Sequence, residues 1–535
     1  MRSPLAIMLC TLAVLAACAR AGTGVDADRR QARTDDLPPR IVIDGHFDDW
    51  RGVPVWAQFA MPAAPTTVTP RIARAVDDAH FWYLSIALRD TMSLHAMPGT
   101  MHLLIDADDS AVTGGSAYGM PGVDLAIDLS RLDKLGSRGH GAGVALRSVG
   151  DAGLGDFRSA YDLAEVHLPS WGADQFELRL ARTGTPDGQF RFASRVKARL
   201  VFVGRDSATA STPTTRYTFT TAPARAPIPL ARAIPVKAEG AIRVAHWNVS
   251  EGSFHQPDTH AKLLAAVAPD IIMLDEMHGD TDSTSLAAFF SLPELARLGT
   301  WRFVYGRSGG RQRGVVAVRG RAIRAAEGMA FMRYADGALD SLARTDSLIP
   351  MRAIETERAA QIASTGAWVD VNGIETLFVP LDVISGGYIG SPNDAFRLLQ
   401  TRTIRRYILE AIGMPPQRAP VFIAGDFNAV ASYASVDELQ RSLDTDGSAL
   451  TLNRALRLDG RTATTWRHDS VAQFPPGRLD LALFAGSHFE QTGGFVFATE
   501  DLADSLLASL SLTRDMSRRT SDHLIVVTDL RRRAR

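Results

Sequence analysis

Two patterns of hydrophobic and polar positions divide this chain. From residue 41 to about residue 220, short apolar segments such as Phe81–Leu88, Met101–Ile105 and Val123–Ile127 are separated by turn residues, and no convincing helical pattern lies between them. Short apolar segments punctuated in this way are typical of antiparallel β structure. The pattern predicts an all-β module, a β-sandwich, over residues 40–220.

From residue 241 onward, strand-like apolar runs alternate with helical patterns. The clearest helix is Asp394–Ile412, because isoleucine recurs at every fourth position toward its end, and Asn393 or Asp394 can cap it. Alternation of strands and helices indicates an α/β architecture. We predict an α/β module over residues 241–531, preceded by a linker rich in Pro and Ala over residues 221–240.

The chain begins with the pattern of an export signal. A basic residue precedes the apolar stretch Leu5–Ala17, and Leu15–Cys18 resembles the bacterial lipobox, in which the signal is cut before a cysteine that then receives lipid. This predicts a lipoprotein signal peptide over residues 1–17, lipidation of Cys18 and a flexible tether over residues 18–39. Cleavage nearby without lipidation is the alternative. The predicted location is the cell envelope, with the protein lipid-anchored on the periplasmic or surface side of the outer membrane.

The charge balance and the cysteines narrow the function classes. With 58 Lys and Arg against 59 Asp and Glu, the formal net charge is -1, so there is no global electrostatic sign of nucleic-acid affinity. A hydrophobic fraction of 46% excludes disorder throughout the chain. Both cysteines, Cys10 and Cys18, lie in the signal region, so the processed protein cannot form an internal disulfide.

Five short polar motifs in the second module each lie beside an apolar, strand-like run. They occur in the order Trp247-Asn248-Val249, Asp275-Glu276-Met277, Gly425-Asp426-Phe427-Asn428, Arg478-Leu479-Asp480 and Ser521-Asp522-His523. Singly, each motif has an ordinary explanation as a turn, a surface acid or a helix cap. Together they indicate a site at which polar side chains gather at strand ends.

The residue types in these motifs suit metal-assisted hydrolysis of a phosphoester. Mg²⁺ or Mn²⁺ prefers carboxylate and carboxamide oxygens, which are offered by Asn248, Glu276 and Asp522. Asp426 can position or deprotonate the attacking water, and Asn428 can donate to the phosphate. The last two candidates are His523 and Asp480. His523 can donate to the phosphate or transfer a proton, and the Asp480 carboxylate can orient its ring.

Residues 242–530 resemble the endonuclease/exonuclease/phosphatase superfamily, which includes DNase I-like nucleases, neutral sphingomyelinases and inositol-phosphate phosphatases. The resemblance is carried by the five motifs, which stand in that family's order. It implies a four-layer α/β/β/α sandwich with the site where the two sheets open. It further implies a principal metal ligand with two neighbours, namely Glu276 with Asn248 and Asp522. Support of His523 by Asp480 is also implied.

One position departs from that family. Where the family has a histidine, occasionally a tyrosine, facing the phosphate, the run Leu377–Val383 carries Asp382. This carboxylate can recruit a second cation, donate a hydrogen bond when protonated, or mark a site with another substrate or weakened catalysis. We expect an active enzyme with altered chemistry at this position. Elsewhere, Trp466 can stack on a substrate ring or serve in packing.

The first module resembles carbohydrate-binding module family 9-like domains. The resemblance is carried by Ile41–Gly45 followed by Asp48–Trp50, and by Asp106–Ser110 with Thr113-Gly114. It implies a β-sandwich and a glycan as one candidate partner, the alternative being a module without sugar affinity. The acidic run inside Asp106–Ser110 can hold Ca²⁺ or form a hydrogen-bonded turn.

The predicted function is that of a divalent-metal-dependent phosphoesterase, whether nuclease, phosphatase or phosphodiesterase, that is exported and lipid-anchored. Its predicted partners are a phosphoester of open class and the membrane that holds Cys18. The alternative from another class is a catalytically impaired envelope-binding protein that uses the same fold as a scaffold. Asp382 is the residue that keeps this alternative open.

Overall fold

The apolar segments before residue 220 form antiparallel strands. The computed structural model describes residues 41–60, 70–135, 139–151, 153–188, 190–204, 209–250, 256–414 and 418–534. The predicted signal peptide, the tether and Cys18 lie outside these residues. In chain order the strands are β1 (Val55–Gln58), β2 (Pro70–Asp77), β3 (Phe81–Met92), β4 (Gly99–Asp106), β5 (Gly115–Ala117), β6 (Met120–Val123), β7 (Leu125–Leu129), β8 (Val144–Gly150), β9 (Gly153–Ser159), β10 (Val166–Leu168), β11 (Ala173–Ala181), β12 (Arg195–Gly204), β13 (Thr209–Ser211) and β14 (Thr215–Thr218).

These strands form two main sheets, which we call the amino-terminal sheets. One has the order β1-β2-β3-β11-β10, and the other has the order β13-β12-β4-β7-β8-β9 with β14 also paired to β12. Apolar side chains of both sheets, including Trp82 and Phe176 from one and Leu103 and Ile127 from the other, belong to a single buried cluster. The two sheets therefore bury side chains in a common core.

From residue 241 strands and helices alternate, which confirms the prediction of a mixed α/β structure. The strands are β15 (Ile242–Asn248), β16 (Ile271–His278), β17 (Trp301–Tyr305), β18 (Gln312–Arg319), β19 (Ile323–Ala325), β20 (Ala367–Asp370), β21 (Glu375–Asp382), β22 (Val421–Asp426), β23 (Thr451–Leu452), β24 (Leu456–Arg457), β25 (Asp480–Phe484), β26 (Phe489–Phe497) and β27 (Ile525–Arg532). The helices are α1 (Pro257–Val267), α2 (Ser283–Phe290), α3 (Pro293–Ala296), α4 (Ala338–Thr345), α5 (Met351–Ala360), α6 (Pro392–Ile412), α7 (Ala434–Gln440), α8 (Asp504–Leu510) and α9 (Met516–Thr520).

The strands of this α/β part form two further sheets, ordered β17-β18-β16-β15-β27-β26-β24 and β19-β20-β21-β22-β25-β23. Val244 and Met273 of the first sheet share a buried cluster with Val379 and Ile423 of the second, and α6 packs into the same cluster. The residues that alternate with Val244 and Met273 pack instead against α1. Alternate side chains of one strand point to opposite faces. The seven-stranded sheet therefore buries one face against the second sheet and the other against helices.

Helix α6 begins at Pro392, before the predicted start at Asp394. Its N-cap is Ser391, whose Oγ accepts a hydrogen bond from the Asp394 backbone N–H at 3.3 Å. The prediction that Asn393 or Asp394 caps the helix is therefore wrong. The Asp394 carboxylate instead accepts from the hydroxyl of Ser432 at 2.7 Å, which ties α6 to the segment after β22.

The amino-terminal sheets and the α/β part contact each other directly. Ile43 forms an isolated bridge with Thr462, and Arg461 Nη1 lies 2.6 Å from Asp78 Oδ2. Residues 221–240, where a linker is predicted, contain no helix or strand. These contacts place the edge of the amino-terminal sheets beside the loops that follow β24.

A buried ion pair between Arg243 and Asp529 joins β15 to β27. Two hydrogen bonds of 2.7 Å link the groups, and the exposed fractions of their side chains are 5% and 3%. Arg243→Ala is expected to lower the free energy of unfolding by about 3–5 kcal/mol, because it leaves the Asp529 charge buried and unpaired. Urea denaturation measures the loss. Arg358→Ala is the control, since Arg358 and Asp340 are 48% and 54% exposed, and about 0–1 kcal/mol is expected there. Equal losses would contradict the prediction.

Candidate active site

The polar motifs lie at adjacent strand ends in the two sheets of the α/β part. β15 and β16 are parallel, with Asn248 opposite Asp275, and β21 and β22 are parallel, with Asp382 opposite Asp426. The antiparallel strand β25 then places Asp480 opposite Asp426. Because the carboxyl ends of neighbouring parallel strands meet at one edge of a sheet, these side chains gather in one place.

Hydrogen bonds connect the predicted residues. Asn248 Nδ2 donates to Glu276 Oε1 at 3.0 Å and is 3.3 Å from Asp426 Oδ2, so it bridges two motifs from different sheets. Asn428 Nδ2 donates to the same oxygen of Asp426 at 2.9 Å. The structure brings together Asn248, Glu276, Asp382, Asp426, Asn428, Asp480, Asp522 and His523.

The backbone at this edge departs from regular strand geometry. Glu276 has φ 52° and Asn428 has φ 43°, both in the left-handed region that side-chain-bearing residues seldom occupy. Position 425, just before Asp426, requires glycine, because a Cβ there would lie 2.0 Å from the Leu381 carbonyl oxygen. The fold therefore places strained or tightly packed backbone next to the acidic residues of the site.

His523 and Asp480 form a buried pair. His523 Nδ1 lies 2.9 Å from Asp480 Oδ2, and its Nε2 lies 3.6 Å from Asp426 Oδ2. Burial lowers the pKa of His523, but the charges of Asp480 and Asp426 outweigh it and hold this pKa well above 6.5. The ring lies between two carboxylates, and the direction of the pKa shift favours its protonated form.

Three acidic side chains crowd together beside this pair. Glu276, Asp382 and Asp426 each offer an oxygen within 4.8 Å of the others, and we call them the acidic cluster. Burial is the largest cause that raises the pKa of Asp426, to about 7, although the His523 charge opposes it. Burial and then the charge of Glu276 raise the pKa of Asp382 well above 3.8.

This arrangement fits a divalent cation. Ionised carboxylates held this close repel each other and lose hydration, so a bound cation or bound protons must compensate the charge. Carboxylate and amide oxygens are the ligands of hard cations such as Mg²⁺ and Mn²⁺. The carboxylate oxygens of the acidic cluster and of Asp522, which lines the adjoining pocket, match that preference. Asn248 would meet it with its amide group turned, because its oxygen here accepts a hydrogen bond from the Ser250 backbone N–H at 2.9 Å.

Two side chains make contacts that differ from the roles predicted for them. The amide of Asn428 donates to the Val383 carbonyl at 2.7 Å as well as to Asp426, so here it orients Asp426 rather than presenting a free donor. Trp466 Nε1 donates to Asp522 Oδ2 at 3.0 Å. Trp466 thus positions Asp522, a predicted metal ligand. This role is neither of the two considered for Trp466 in the sequence, stacking on a substrate ring or packing.

Two buried groups beneath the site were not predicted. Asp275, which is 1% exposed, accepts from the Asp426 backbone N–H at 3.1 Å through one oxygen, and its other oxygen has no partner among the described residues. His246 is equally buried, and burial lowers its pKa to about 4. The only sequence signal was their position next to Glu276 and Trp247, inside apolar strands.

In the absence of divalent cations, the free energy of unfolding of the protein is expected to fall as the pH rises. The folded-state pKa values of Asp275, Asp382 and Asp426 lie above the ordinary 3.8, so the folded protein binds these protons more tightly than the unfolded chain. The resulting stabilisation is complete below about pH 4 and is lost as the pH rises through the raised values, about 7 for Asp426. In EDTA, the melting temperature should be lower at about pH 8 than at about pH 6.

Excess Mg²⁺ should raise the melting temperature most at about pH 8, where the carboxylates are ionised. Asp275→Asn removes one titrating group while an amide oxygen can still accept from Asp426, so it should flatten the pH dependence. Differential scanning calorimetry measures both effects. A metal-free melting temperature that rises between these two pH values would contradict the expectation.

A second acidic group lies in the amino-terminal sheets. Asp106, Asp108 and Asp124 offer oxygens within 4.8 Å of one another. Asp106 and Asp108 both accept from the backbone N–H of Ser110, at 2.9 and 3.0 Å, as expected for a hydrogen-bonded acidic turn. The remaining acid of the run, Asp109, pairs instead with Lys197 and Arg216.

Several solved structures are similar to this chain over about half of its length. Among solved structures, the human Nocturnin catalytic domain with bound sulfate is 15% identical and covers 56% of this chain and 97% of its own, with a TM-score of 0.35. D. rerio TDP2 complexed with a single-strand DNA product is 15% identical, with coverages of 55% and 99% and a TM-score of 0.34. A Bacteroides thetaiotaomicron endonuclease/exonuclease/phosphatase family protein is 16% identical, with coverages of 54% and 97% and a TM-score of 0.34.

A comparison with curated protein sequences found no match. The sequence profile of the Endonuclease/Exonuclease/phosphatase family matches residues 245–523, which is more than half of the 535 residues. That interval begins just before Asn248 and ends at His523, so it spans all the site residues described above. The chain belongs to the endonuclease/exonuclease/phosphatase family.

Proposed function

We propose that the protein is a divalent-metal-dependent phosphoesterase that hydrolyses its substrate by attack of water on phosphorus. The observation that carries this proposal is the acidic cluster facing a protonated histidine, His523, which has its own buried carboxylate partner. Acidic oxygens that can bind a cation and a histidine that can donate line the same pocket, and together they suit the charge of a phosphoryl group. Membership of a family of nucleases and phosphatases supports the same reaction class.

Some of the site residues bind the cation or the phosphate, and Asp426 transfers a proton. Glu276, with Asn248 and Asp522, would hold the cation, which when bound offsets charge on the non-bridging phosphate oxygens. Asp426 accepts a proton from the attacking water, and its pKa of about 7 suits a general base near neutral pH. As the water oxygen bonds to phosphorus, the bond from phosphorus to the alcohol oxygen breaks, and that oxygen takes up a proton from solvent. His523 donates a hydrogen bond to the phosphate, and Asp480 fixes the ring for this donation.

Asn428 and Trp466 position other groups. Asn428 orients the Asp426 carboxylate, and Trp466 orients that of Asp522. Asp382 contributes a further oxygen to the acidic cluster. We propose that it assists cation binding at the position where the family resemblance leads us to expect a histidine or a tyrosine. We also propose that the α/β part adopts the four-layer arrangement of its family.

A substrate panel tests the reaction class. Protein lacking the predicted signal peptide is assayed on bis(4-nitrophenyl) phosphate, 4-nitrophenyl phosphate, DNA and sphingomyelin, with Mg²⁺, Mn²⁺, Ca²⁺ or EDTA. Hydrolysis of at least one substrate with Mg²⁺ or Mn²⁺, and its loss in EDTA, is the expected result. Absence of turnover on every substrate would favour the catalytically impaired envelope-binding protein.

The location and the amino-terminal sheets complete the proposal. We propose export and lipid anchoring through Cys18, on the strength of Leu15–Cys18. Among the described residues, none of the helices combines the length and the apolar character that a membrane span requires. The amino-terminal sheets are proposed to form a β-sandwich similar to carbohydrate-binding modules, with a glycan as candidate partner.

A further inference from the structure

A pocket beside the acidic cluster is walled by both parts of the chain. It has a volume of about 310 Å³ and opens onto Asp426. His95 and Ser170 line it from the amino-terminal sheets, whereas Phe474 and Pro475 line it from the loop between β24 and β25. An organic group attached to a phosphate at the acidic cluster would extend into this pocket.

The pocket walls away from the catalytic residues are largely apolar. Val430, Trp466 and Leu479 join Phe474 and Pro475 in forming them. Of the described residues that line the pocket, none is a lysine or an arginine. Lysine and arginine are the residues that neutralise the charge of polyanions such as a nucleic-acid backbone. The walls therefore favour an uncharged group over an anionic one.

His95 belongs to a small stack of side chains fixed by the amino-terminal sheets. Its ring centroid lies 4.5 Å from that of His167 and 5.7 Å from that of Phe474, and His167 Nδ1 lies 2.9 Å from Glu165 Oε1. Burial and the adjacent His167 lower the pKa of His95 well below 6.5, so its imidazole is uncharged at neutral pH. The described residues offer no hydrogen-bond partner to its Nε2.

The loop that forms the opposite wall is held in place by the same sheets. The Tyr161 hydroxyl donates to the Phe474 carbonyl at 3.0 Å, and the Arg478 backbone N–H donates to Ser170 Oγ at 2.8 Å. Because both walls are tied together by hydrogen bonds, the pocket exists before a ligand enters. A preformed pocket requires little ordering on binding and discriminates by shape and polarity.

We propose that this pocket binds the uncharged, apolar alcohol group of the phosphoester, and that His95 of the amino-terminal sheets is one of its specificity-determining residues. The inference rests on the proposed function, because it places the phosphate at the acidic cluster. A volume of about 310 Å³ is at the lower end of small-molecule sites and suits a short alkyl chain or one aromatic ring. A nucleotide paired within a duplex cannot enter it.

Binding of two phosphonates, analogues of monoesters that cannot be hydrolysed, tests the inference without relying on turnover. Isothermal titration calorimetry with Mg²⁺ present compares hexylphosphonate with 6-phosphonohexanoate, which has the same chain length and a charged end. Wild-type protein should bind hexylphosphonate at least about tenfold more tightly. His95→Lys introduces a cation into the wall and should abolish or reverse this preference. His140→Lys, at a histidine that stacks on Tyr388 and does not line the pocket, should keep it.

Phe474→Ala provides a second variant in case the lysine variant does not fold. It should weaken binding of hexylphosphonate at least about fivefold and leave binding of the carboxylate compound nearly unchanged. Equal binding of both compounds by the wild type, or binding of neither, would overturn the inference. Hydrolysis of bis(4-nitrophenyl) phosphate without the binding preference overturns the pocket assignment alone. The preference without hydrolysis of any substrate in the panel overturns only the proposed function.

Discussion

Glu276→Ala is expected to lower kcat/KM for a 4-nitrophenyl phosphodiester by about 10³-fold, the largest effect anticipated for any single residue of this protein. Glu276 belongs to the acidic cluster with Asp382 and Asp426, and it accepts a hydrogen bond from Asn248. Its loss removes one proposed cation ligand and leaves the Asn248 amide without this acceptor. A bound cation is worth several kcal/mol of transition-state stabilisation, and each 1.36 kcal/mol is tenfold in rate.

The control must distinguish loss of cation binding from unfolding of the protein. Glu239→Ala changes an exposed glutamate in the same chain and should leave both activity and melting temperature unaltered. Calorimetric titration with Mn²⁺ should show binding to the wild type and to Glu239→Ala, and much weaker binding to Glu276→Ala. Full activity of Glu276→Ala with unaltered Mn²⁺ affinity would remove Glu276 from the metal site.

Strand ends made the site predictable from the sequence. Each polar motif follows or precedes an apolar run, and the side chains at the ends of neighbouring strands must share one edge of a sheet. That geometry is observed for Asp382 and Asp426, which are opposite each other in parallel strands. The α/β character of this part was predictable for a similar reason, because hydrophobic periodicity distinguishes strands from helices.

Contacts between distant segments were not predictable in the same way. The helix N-cap at Ser391 and the bond from Trp466 to Asp522 depend on backbone geometry that a residue pattern does not contain. The approach of His95 to Phe474 depends on how the amino-terminal sheets contact the α/β part. A sequence records which residues can form a site within one sheet, but the packing of separate sheets selects the residues that complete it.

Asp382→His is expected to lower kcat/KM by about 10–100-fold, although the family resemblance leads us to expect a histidine at this position. The site around Asp382 differs from one built for an imidazole, because the Asp382 carboxylate lies within 4.8 Å of Glu276 and Asp426 oxygens and is 8% exposed. An imidazole at this position would remove one anionic oxygen from the acidic cluster. Its larger ring would also crowd Asn428, which lies 3.5 Å from Asp382 Oδ1.

Asp382→Asn separates charge from shape. The amide has nearly the same size as the carboxyl group, so the buried packing should survive while one negative charge disappears from the acidic cluster. Because the cation is held partly by that charge, we expect the Mg²⁺ concentration for half-maximal activity to rise at least about tenfold, with kcat at saturating Mg²⁺ changed less. Asp370→Asn, at an exposed strand end, is the matched control.

The two Asp382 variants together distinguish an adapted site from a decayed one. In an adapted site, both substitutions lower activity, and only the asparagine variant recovers at high Mg²⁺, because its defect is confined to cation affinity. In a decayed site, Asp382 is a substitution that impairs catalysis, so Asp382→His should raise activity by restoring a donor to the phosphate. The electrostatics favour the first outcome, since burial and Glu276 raise the pKa of Asp382 and a cation would relieve that cost. A gain of activity in Asp382→His would therefore refute the proposed role of Asp382 in cation binding.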